Sequence, residues 1–401
     1  MIKIAVMGFG TVGSGVVEVL AGNAEHIARN AGSGIEVKYI LDTRDFPDSP
    51  YQHMLTHDFS DIENDAEVQV VVEAMGGVGA AYEFTRRCLA AGKSVVTSNK
   101  ELVATRGQEL LSIAQSKNVN YLFEASVGGG IPIIRPITQC LAANEITQIY
   151  GILNGTTNYI LTQMIRNGSS FEDALRSAQS KGYAELNPAA DIEGHDACRK
   201  ICILSDLCFG KNVDPACVST EGITGIHSED VVLAGKGGYV IKLLGRALRR
   251  EDGRIHAYVA PHLLSESSLL AGVDGVMNGI VVNGNALGEA MFYGAGAGKF
   301  PTASAVVADV IDAAKHLNAR KPLGWDEAEE DYVAPTEELV SRWYIRAQAT
   351  EAELKALYGD VTVLEGAAEG ECAVITAPIS GKLQQEKAEK LTVFAAMRIM
   401  D

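Results

Sequence analysis

Ile2-Lys3-Ile4-Ala5-Val6-Met7-Gly8-Phe9-Gly10-Thr11-Val12-Gly13 is the stretch that decides the fold. Its first six residues read as a strand. The glycines then fit G-x-G-x-x-G ahead of a helix carrying Val16, Val17, Val19 and Leu20. Missing Cβ atoms permit a tight turn and let backbone N–H groups approach a pyrophosphate at a helix N-terminus. Gly8, Phe9, Gly10, Thr11, Val12 and Gly13 are therefore the candidate dinucleotide-binding turn. Short β-branched runs recur at 35–41, 68–72 and 94–97, with helix-like stretches at 82–91 and 110–117. Such alternation predicts a parallel, doubly wound α/β sheet. The acid expected about 20 residues beyond the turn is delayed by a polar insert at 23–34, and Asp42 ends the second strand. Asp42 suits an adenosine 2′-hydroxyl and NAD, whereas Arg44 suits a 2′-phosphate and NADP, so the preference stays open.

A length of 401 residues accommodates two or three domains. We expect a nucleotide-binding domain over 1–131, completed by a helix at 302–320, and an α+β lobe over 132–301. An acidic linker at 321–338 holds five acids between Asp326 and Asp331. The tail, 339–401, reads strand, helix, strand, strand, helix, strand, the βαββαβ order of a ferredoxin-like module. The formal charge of −17 argues against a binder of nucleic-acid backbones, which needs clustered Lys and Arg. Residues 323–401 hold 16 acids and 7 bases, a net −9, so the tail and linker carry more than half of the excess. Seven scattered cysteines without CxxC spacing suggest a reducing, cytoplasmic setting rather than a disulfide framework. No apolar run of about 18 residues is present, so no transmembrane helix is expected.

Lys100 follows Thr97-Ser98-Asn99 after a strand, which places it at the carboxyl edge of the sheet, where ligands bind in doubly wound folds. The segment 182–200 joins a Gly- and Pro-containing loop to a helix whose Ala197, Ile201, Leu204 and Cys208 form an apolar stripe. Asp196 and Lys200 are i,i+4 neighbours, and Glu185 and Asp191 lie in the loop before them. Several carboxylates around one lysine suit a substrate with an ammonium group and an exchangeable hydroxyl proton.

These residues resemble the homoserine dehydrogenase family over 1 to about 320. The resemblance rests on Ser98-Asn99-Lys100, on Ile152-Leu153-Asn154-Gly155-Thr156-Thr157-Asn158-Tyr159-Ile160, on 182–200, and on Gly294-Ala295-Gly296-Ala297-Gly298 with Pro301-Thr302. The family commonly has proline where Ala295 stands. The resemblance implies a Rossmann lobe, a substrate and dimerisation lobe, and interconversion of L-homoserine and L-aspartate 4-semialdehyde with NADP or NAD, in threonine and methionine synthesis. It implies Lys200 as proton donor and acceptor, Lys100 as a second active-site lysine, and Glu185 as ligand of the substrate ammonium. Asp191 and Asp196 would support that network, with Gly155 and Thr156 at the substrate and Ser98 and Gly298 at the cofactor. A monovalent cation, Na+ or K+, is implied at Glu124 and the main-chain carbonyls of Val127, Gly129 and Ile131. The tail resembles an ACT domain, although Ala347-Gln348-Ala349-Thr350 replaces the usual Asp-x-Pro-Gly; a homodimer or homotetramer is implied. A competing reading, an acylating semialdehyde dehydrogenase, needs a nucleophilic cysteine such as Cys140 or Cys198, whose apolar or helical contexts suit structural thiols better.

Overall fold

The computed structural model describes residues 1–400. The opening run forms β1 (Ile2–Met7), followed by α1 (Thr11–Gly22). The polar insert folds too: α2 (Ala24–Ala31) buries Ile27 and Ala31, one turn apart, and stops at Gly32 in the left-handed region. The run continues through β2 (Ile35–Leu41), β3 (Leu55–Thr56), β4 (Val68–Glu73), α3 (Gly79–Ala90), β5 (Ser94–Thr97), α4 (Lys100–Lys117) and β6 (Tyr121–Leu122). The strands make one sheet in the order β3-β2-β1-β4-β5-β6, and every neighbouring pair is parallel. Its order reverses between β1 and β4, where doubly wound sheets open a crevice at their carboxyl ends. Ile4, Val6, Val16, Val17, Val70 and Val72 are buried in its core, as the near-continuous apolar strands of a parallel sheet require.

The next stretch holds β7 (Ile146–Ile152), α5 (Gly155–Asn167), α6 (Phe171–Ser180), α7 (His195–Phe209), β8 (Ser219–Thr220), α8 (Ser228–Lys236), β9 (Tyr239–Arg249) and β10 (Ile255–Ser265). β9 and β10 are an antiparallel pair in register along their whole length. β11 (Met277–Gly284) and β12 (Gly288–Ala295) extend this sheet, in the order β12-β11-β7-β9-β10. Neither is evident from pattern, because Asn and Gly interrupt β11 and Gly288 and Gly294 stand near the two ends of β12. The chain then returns through α9 (Lys299–Lys315), whose Val306 and Val310 join the core under α1.

The tail forms β13 (Trp343–Gln348), α10 (Glu351–Tyr358), β14 (Val361–Leu364), β15 (Cys372–Thr376), α11 (Gly381–Ala388) and β16 (Thr392–Met400). Pairing is antiparallel in the order β16-β13-β15-β14. β16 also pairs in parallel with β10, through His262–Arg398, Leu263–Ile399 and Leu264–Met400, so the tail continues the preceding sheet. The chain divides into two compact units, one of 1–144, 203–214 and 294–329, the other of 145–202, 215–293 and 330–401. Among the described residues, no helix is long and apolar enough to cross a membrane.

A buried ion pair ties the tail to α8. Asp230 accepts from Tyr344 Oη at 2.8 Å and from Arg346 Nε at 2.7 Å, and the carboxylate is wholly buried. Arg346→Met strands that carboxylate, and the expected loss is about 3–5 kcal/mol by denaturant unfolding, with part recovered in the double variant Asp230→Leu/Arg346→Met. A single-variant loss under about 0.5 kcal/mol, the scale of a surface change, would show that the pair does not fasten the tail.

Candidate active site

In the first unit, the glycine turn has the shape a dinucleotide needs. A Cβ on Gly13 would lie 1.8 Å from Gly8 O, and Gly8 itself has φ +94°, so neither position takes a side chain. Gly10 by contrast faces open space. It also caps α1, with no side-chain hydrogen bond to the helix N–H groups. Those donors are the ones a pyrophosphate takes up, so the residues present fit the cofactor that the fingerprint implies. Thr11 and Val12 begin the helix, and Phe9 N donates to Asp42 Oδ2 at 2.8 Å.

The structure pairs the two residues that point to different cofactors. Arg44 Nε donates to Asp42 Oδ1 at 3.0 Å, and Arg44 Nη2 donates to Asp42 Oδ2 at 3.1 Å. Burial works to raise the Asp42 pKa, but Arg44 and the two backbone N–H groups outweigh it and hold the carboxyl at about 2. The Arg44 side chain remains 62% exposed and lies over the Phe46 ring.

At the carboxyl edge, Asn99 caps α4 by accepting from Leu102 N at 3.1 Å, which fixes Lys100 as the first helical residue. Ser98 is half-buried, and its N–H reaches toward Glu73 O. Gly298 precedes α9 with φ +125°, and the following Lys299 pairs with Glu18 of α1 at 2.7 Å.

At the triple-glycine loop the Glu124 carboxylate is taken up by the chain itself. Glu124 Oε1 accepts from Ile133 N and Ile134 N, and Oε2 from Arg135 N and Nε, all within 3.2 Å. Both oxygens are committed, so a cation here would have to be held by main-chain carbonyls. Gly128 and Gly129 take φ +72° and +57°, which turns successive peptides of this loop. Such oxygen donors fit a hard cation; no cluster of three or more His, Cys, Asp and Glu suited to a metal exists among the described residues.

The second unit assembles the substrate residues. Lys200 Nζ, almost wholly buried, donates to Leu153 O and to Asp196 Oδ2, each at 2.7 Å. Asn154 Nδ2 donates both to Asp196 Oδ2 at 2.9 Å and to Asp191 Oδ1 at 2.7 Å, while its Oδ1 caps α5 by accepting from Thr157 N. Gly155 and Thr156 follow on the first turn, and Thr156 Oγ1 donates to Tyr183 O at 2.7 Å. Burial and the neighbouring Asp196 charge push the Asp191 pKa up, against hydrogen bonds from Asn154 and Thr156. Lys200, Asp196 and Asp191 are thus one network. Glu185 stands outside it with an exposed side chain, on the loop whose Glu185 O accepts from Gln179 Nε2. Sequence reasoning missed Asn154 as a site residue. Its signal was available, since an Asn directly before Gly-Thr-Thr and a helical run is a capping residue. Cys198 is buried and Cys140 exposed, and none of the seven cysteines is in a disulfide.

Comparison with known proteins bears on both units. A family model described as homoserine dehydrogenase, NAD binding domain, matches residues 8–124, and one described as homoserine dehydrogenase matches residues 132–311. A homoserine dehydrogenase of Neisseria gonorrhoeae is 43% identical over 367 residues, spanning 87% of this chain and 82% of that one. The Pseudomonas aeruginosa enzyme of the same name is 43% identical over 359 residues, with the same coverage. Among solved structures, a homoserine dehydrogenase from Thiobacillus denitrificans superposes with a TM-score of 0.90 at 37% identity, covering 100% of this chain and 98% of that one. A hyperthermophilic archaeal homoserine dehydrogenase in complex with NADPH gives a TM-score of 0.65 at 28% identity, covering 78% of this chain and 97% of that one. With a nucleotide turn, a buried lysine among carboxylates and these matches over most of its length, the chain belongs to the homoserine dehydrogenase family and is an NAD(P)-dependent oxidoreductase.

Proposed function

We propose that Lys200 is the proton-transfer residue for interconversion of L-homoserine and L-aspartate 4-semialdehyde, a reading carried by its burial against Leu153 O and Asp196. When bound, the nicotinamide donates or accepts the hydride. In reduction, the Lys200 ammonium gives a proton to the oxygen that develops negative charge; in oxidation, the neutral amine takes the hydroxyl proton. A lysine reference pKa of about 10.4 makes the acid the prevailing form at neutral pH, so oxidation favours alkaline solution. Asp196 orients the amine, and Asn154 keeps Asp191 and Asp196 together. Glu185 takes the substrate ammonium with Asp191 and Asp196 supporting that network, and Gly155 and Thr156 serve the substrate beside them. Lys100 and Ser98 serve the cofactor at the sheet edge, with Gly8 to Gly13 and Gly298. The amino-acid product places the enzyme in threonine and methionine synthesis.

The finer organisation is also a proposal. We read 1–131 with 302–320 as the nucleotide domain, 132–301 as the substrate and dimerisation domain, 321–338 as the linker and 339–401 as an ACT-like module. The fourth-first-third-second strand order of the tail, with its two helices, supports a ferredoxin-like reading. β12 ends its sheet and carries the exposed Tyr293, which supports a homodimer or homotetramer joined at that edge. A monovalent cation would be held by the carbonyls of Glu124, Val127, Gly129 and Ile131. Seven cysteines outside any disulfide suit a cytoplasmic setting.

Steady-state kinetics with homoserine and either cofactor test the roles. Lys200→Ala is expected to lower kcat by about a hundredfold or more with cofactor affinity kept, and near-normal turnover would move the proton to Lys100 or water. Glu185→Ala is expected to raise mainly the KM for homoserine, since an ammonium contact exists in ground and transition states alike. An unchanged KM would remove Glu185 from the site.

Asp191 links binding to stability. Its pKa is raised in the folded chain, so folding takes up a proton: the contribution to stability is present below the unfolded carboxyl pKa and is lost as pH rises through the folded value. Asp191→Asn is therefore expected to hold or raise the thermal midpoint at pH 8 while raising the KM for homoserine. A lower midpoint with an unchanged KM would make Asp191 a purely structural carboxylate.

Arg44 decides between the cofactors. With its guanidinium turned to a 2′-phosphate it favours NADP; with it removed, Asp42 is released to a ribose 2′-hydroxyl. Arg44→Ala is expected to shift the ratio of kcat/KM for NADH over NADPH upward by about tenfold, and an unmoved ratio would overturn the assignment.

A further inference from the structure

Glu73 is the last residue of β4, at the point where the sheet order reverses, and it is wholly buried. No expectation from sequence gave it a role. Three donors converge on its carboxylate: Met75 N at 2.8 Å and Gly76 N at 3.4 Å on Oε1, and Thr97 Oγ1 at 2.5 Å on Oε2. Thr97 Oγ1 in turn accepts from Asn99 N at 2.9 Å. Asn99 Nδ2 then donates to Gly77 O at 2.6 Å, which returns the chain of bonds to the loop that Glu73 began. The ring links the loop after β4 to the first turn of α4, where Asn99 is the cap and Lys100 the first residue. Gly76 and Gly77 both have positive φ and open space where a Cβ would stand, so packing against neighbours does not set the path of that loop. Hydrogen bonds to one carboxylate do.

We infer that Glu73 is a positioning residue for the cofactor, fixing at once the β4–α3 loop and the helix start that carries Lys100. This rests on the reading of the sheet edge as the nicotinamide side. It acts through those loops and touches no reacting atom. Burial pushes the Glu73 pKa up and the hydrogen bonds that converge on it oppose that shift; the ionised carboxylate is the form that serves the ring, because it accepts from all three donors without offering one. Glutamine matches its shape but not its chemistry. With Nε2 toward Thr97, the Thr97 hydroxyl must accept twice and its proton loses its partner; with the amide flipped, Nε2 opposes the N–H groups of Met75 and Gly76. Either orientation leaves a buried donor unmet.

The test is direct fluorescence titration of NADPH and NADH into the purified full chain without substrate, alongside thermal unfolding and steady-state kinetics. Glu73→Gln is expected to raise the Kd for both cofactors by about tenfold, with the KM for homoserine at saturating cofactor unchanged. Thr97→Val, which breaks the same ring one bond further along, is expected to reproduce that pattern, and Thr97→Ser, which keeps the hydroxyl, to restore affinity. A fall in thermal midpoint with unaltered Kd values in both Glu73→Gln and Thr97→Val would make the ring a structural weld only and overturn the proposal. Failure of the unsubstituted chain to bind either cofactor would instead sink the reading of the sheet edge itself.

Discussion

An ammonium group almost wholly buried beside a sheet is costly unless each face of it meets an acceptor, and this constraint organises the second unit. Lys200 is tolerable there because Leu153 O and Asp196 lie at 2.7 Å. Asp196 is in turn tolerable because Asn154 donates to it. That asparagine can reach both carboxylates only because it caps α5 at the end of β7, so a helix start, a strand end and a second helix are brought to one spot by a single amide. Chemistry and fold share the same bonds at this point, and the helical i,i+4 spacing of Asp196 and Lys200 supplies the reach.

The first unit obeys a different constraint. Its working groups are main-chain N–H donors, and their positions depend on places where no side chain fits. Gly13 against Gly8 O is such a place, and Asp42 with Arg44 and Phe9 N is the polar counterpart that keeps the turn in register with the end of β2. Glu124 plays a similar part at the glycine loop, where its carboxylate gathers the N–H groups of Ile133, Ile134 and Arg135. Buried Asp309, its pKa pushed up to about 7 by burial and held back by Arg135, accepts from Glu124 N beneath it.

Much of this was legible because the relevant signals are local. The strand and glycine turn at 2–13, the hairpin partner at 239–249 and the tail elements at 351–358 and 361–364 carry their own periodicity, and the structure has them at those residues. β11 and β12 were not legible, since Asn278, Gly279, Asn283 and Gly284 in the first and Gly288 and Gly294 in the second lower the local preference and only neighbouring strands supply the rest. α2 was hidden for a related reason, as only Ile27 and Ala31 of its apolar side are buried. At the candidate site, Lys200, Asp196 and Asp191 were legible as residue types that announce chemistry, their roles only through the family resemblance. Asn154 and Glu73 were not, because an amide that bridges and a carboxylate that closes a ring are recognisable only when their partners are in place.

The parallel pairing of β16 with β10 gives the C-terminal module a status that its sequence does not suggest. Parallel neighbours need long crossover connections, so the module is stitched in by its own final strand rather than hung from the acidic stretch before it. Cutting the chain ahead of Val340 would uncover the main-chain N–H and C=O groups of β10 near His262, Leu263 and Leu264. An uncovered edge of that kind recruits other chains. Shortened versions of this enzyme thus face clumping as the first obstacle, before any question of lost control, and the module serves as a guard for the edge on which it ends.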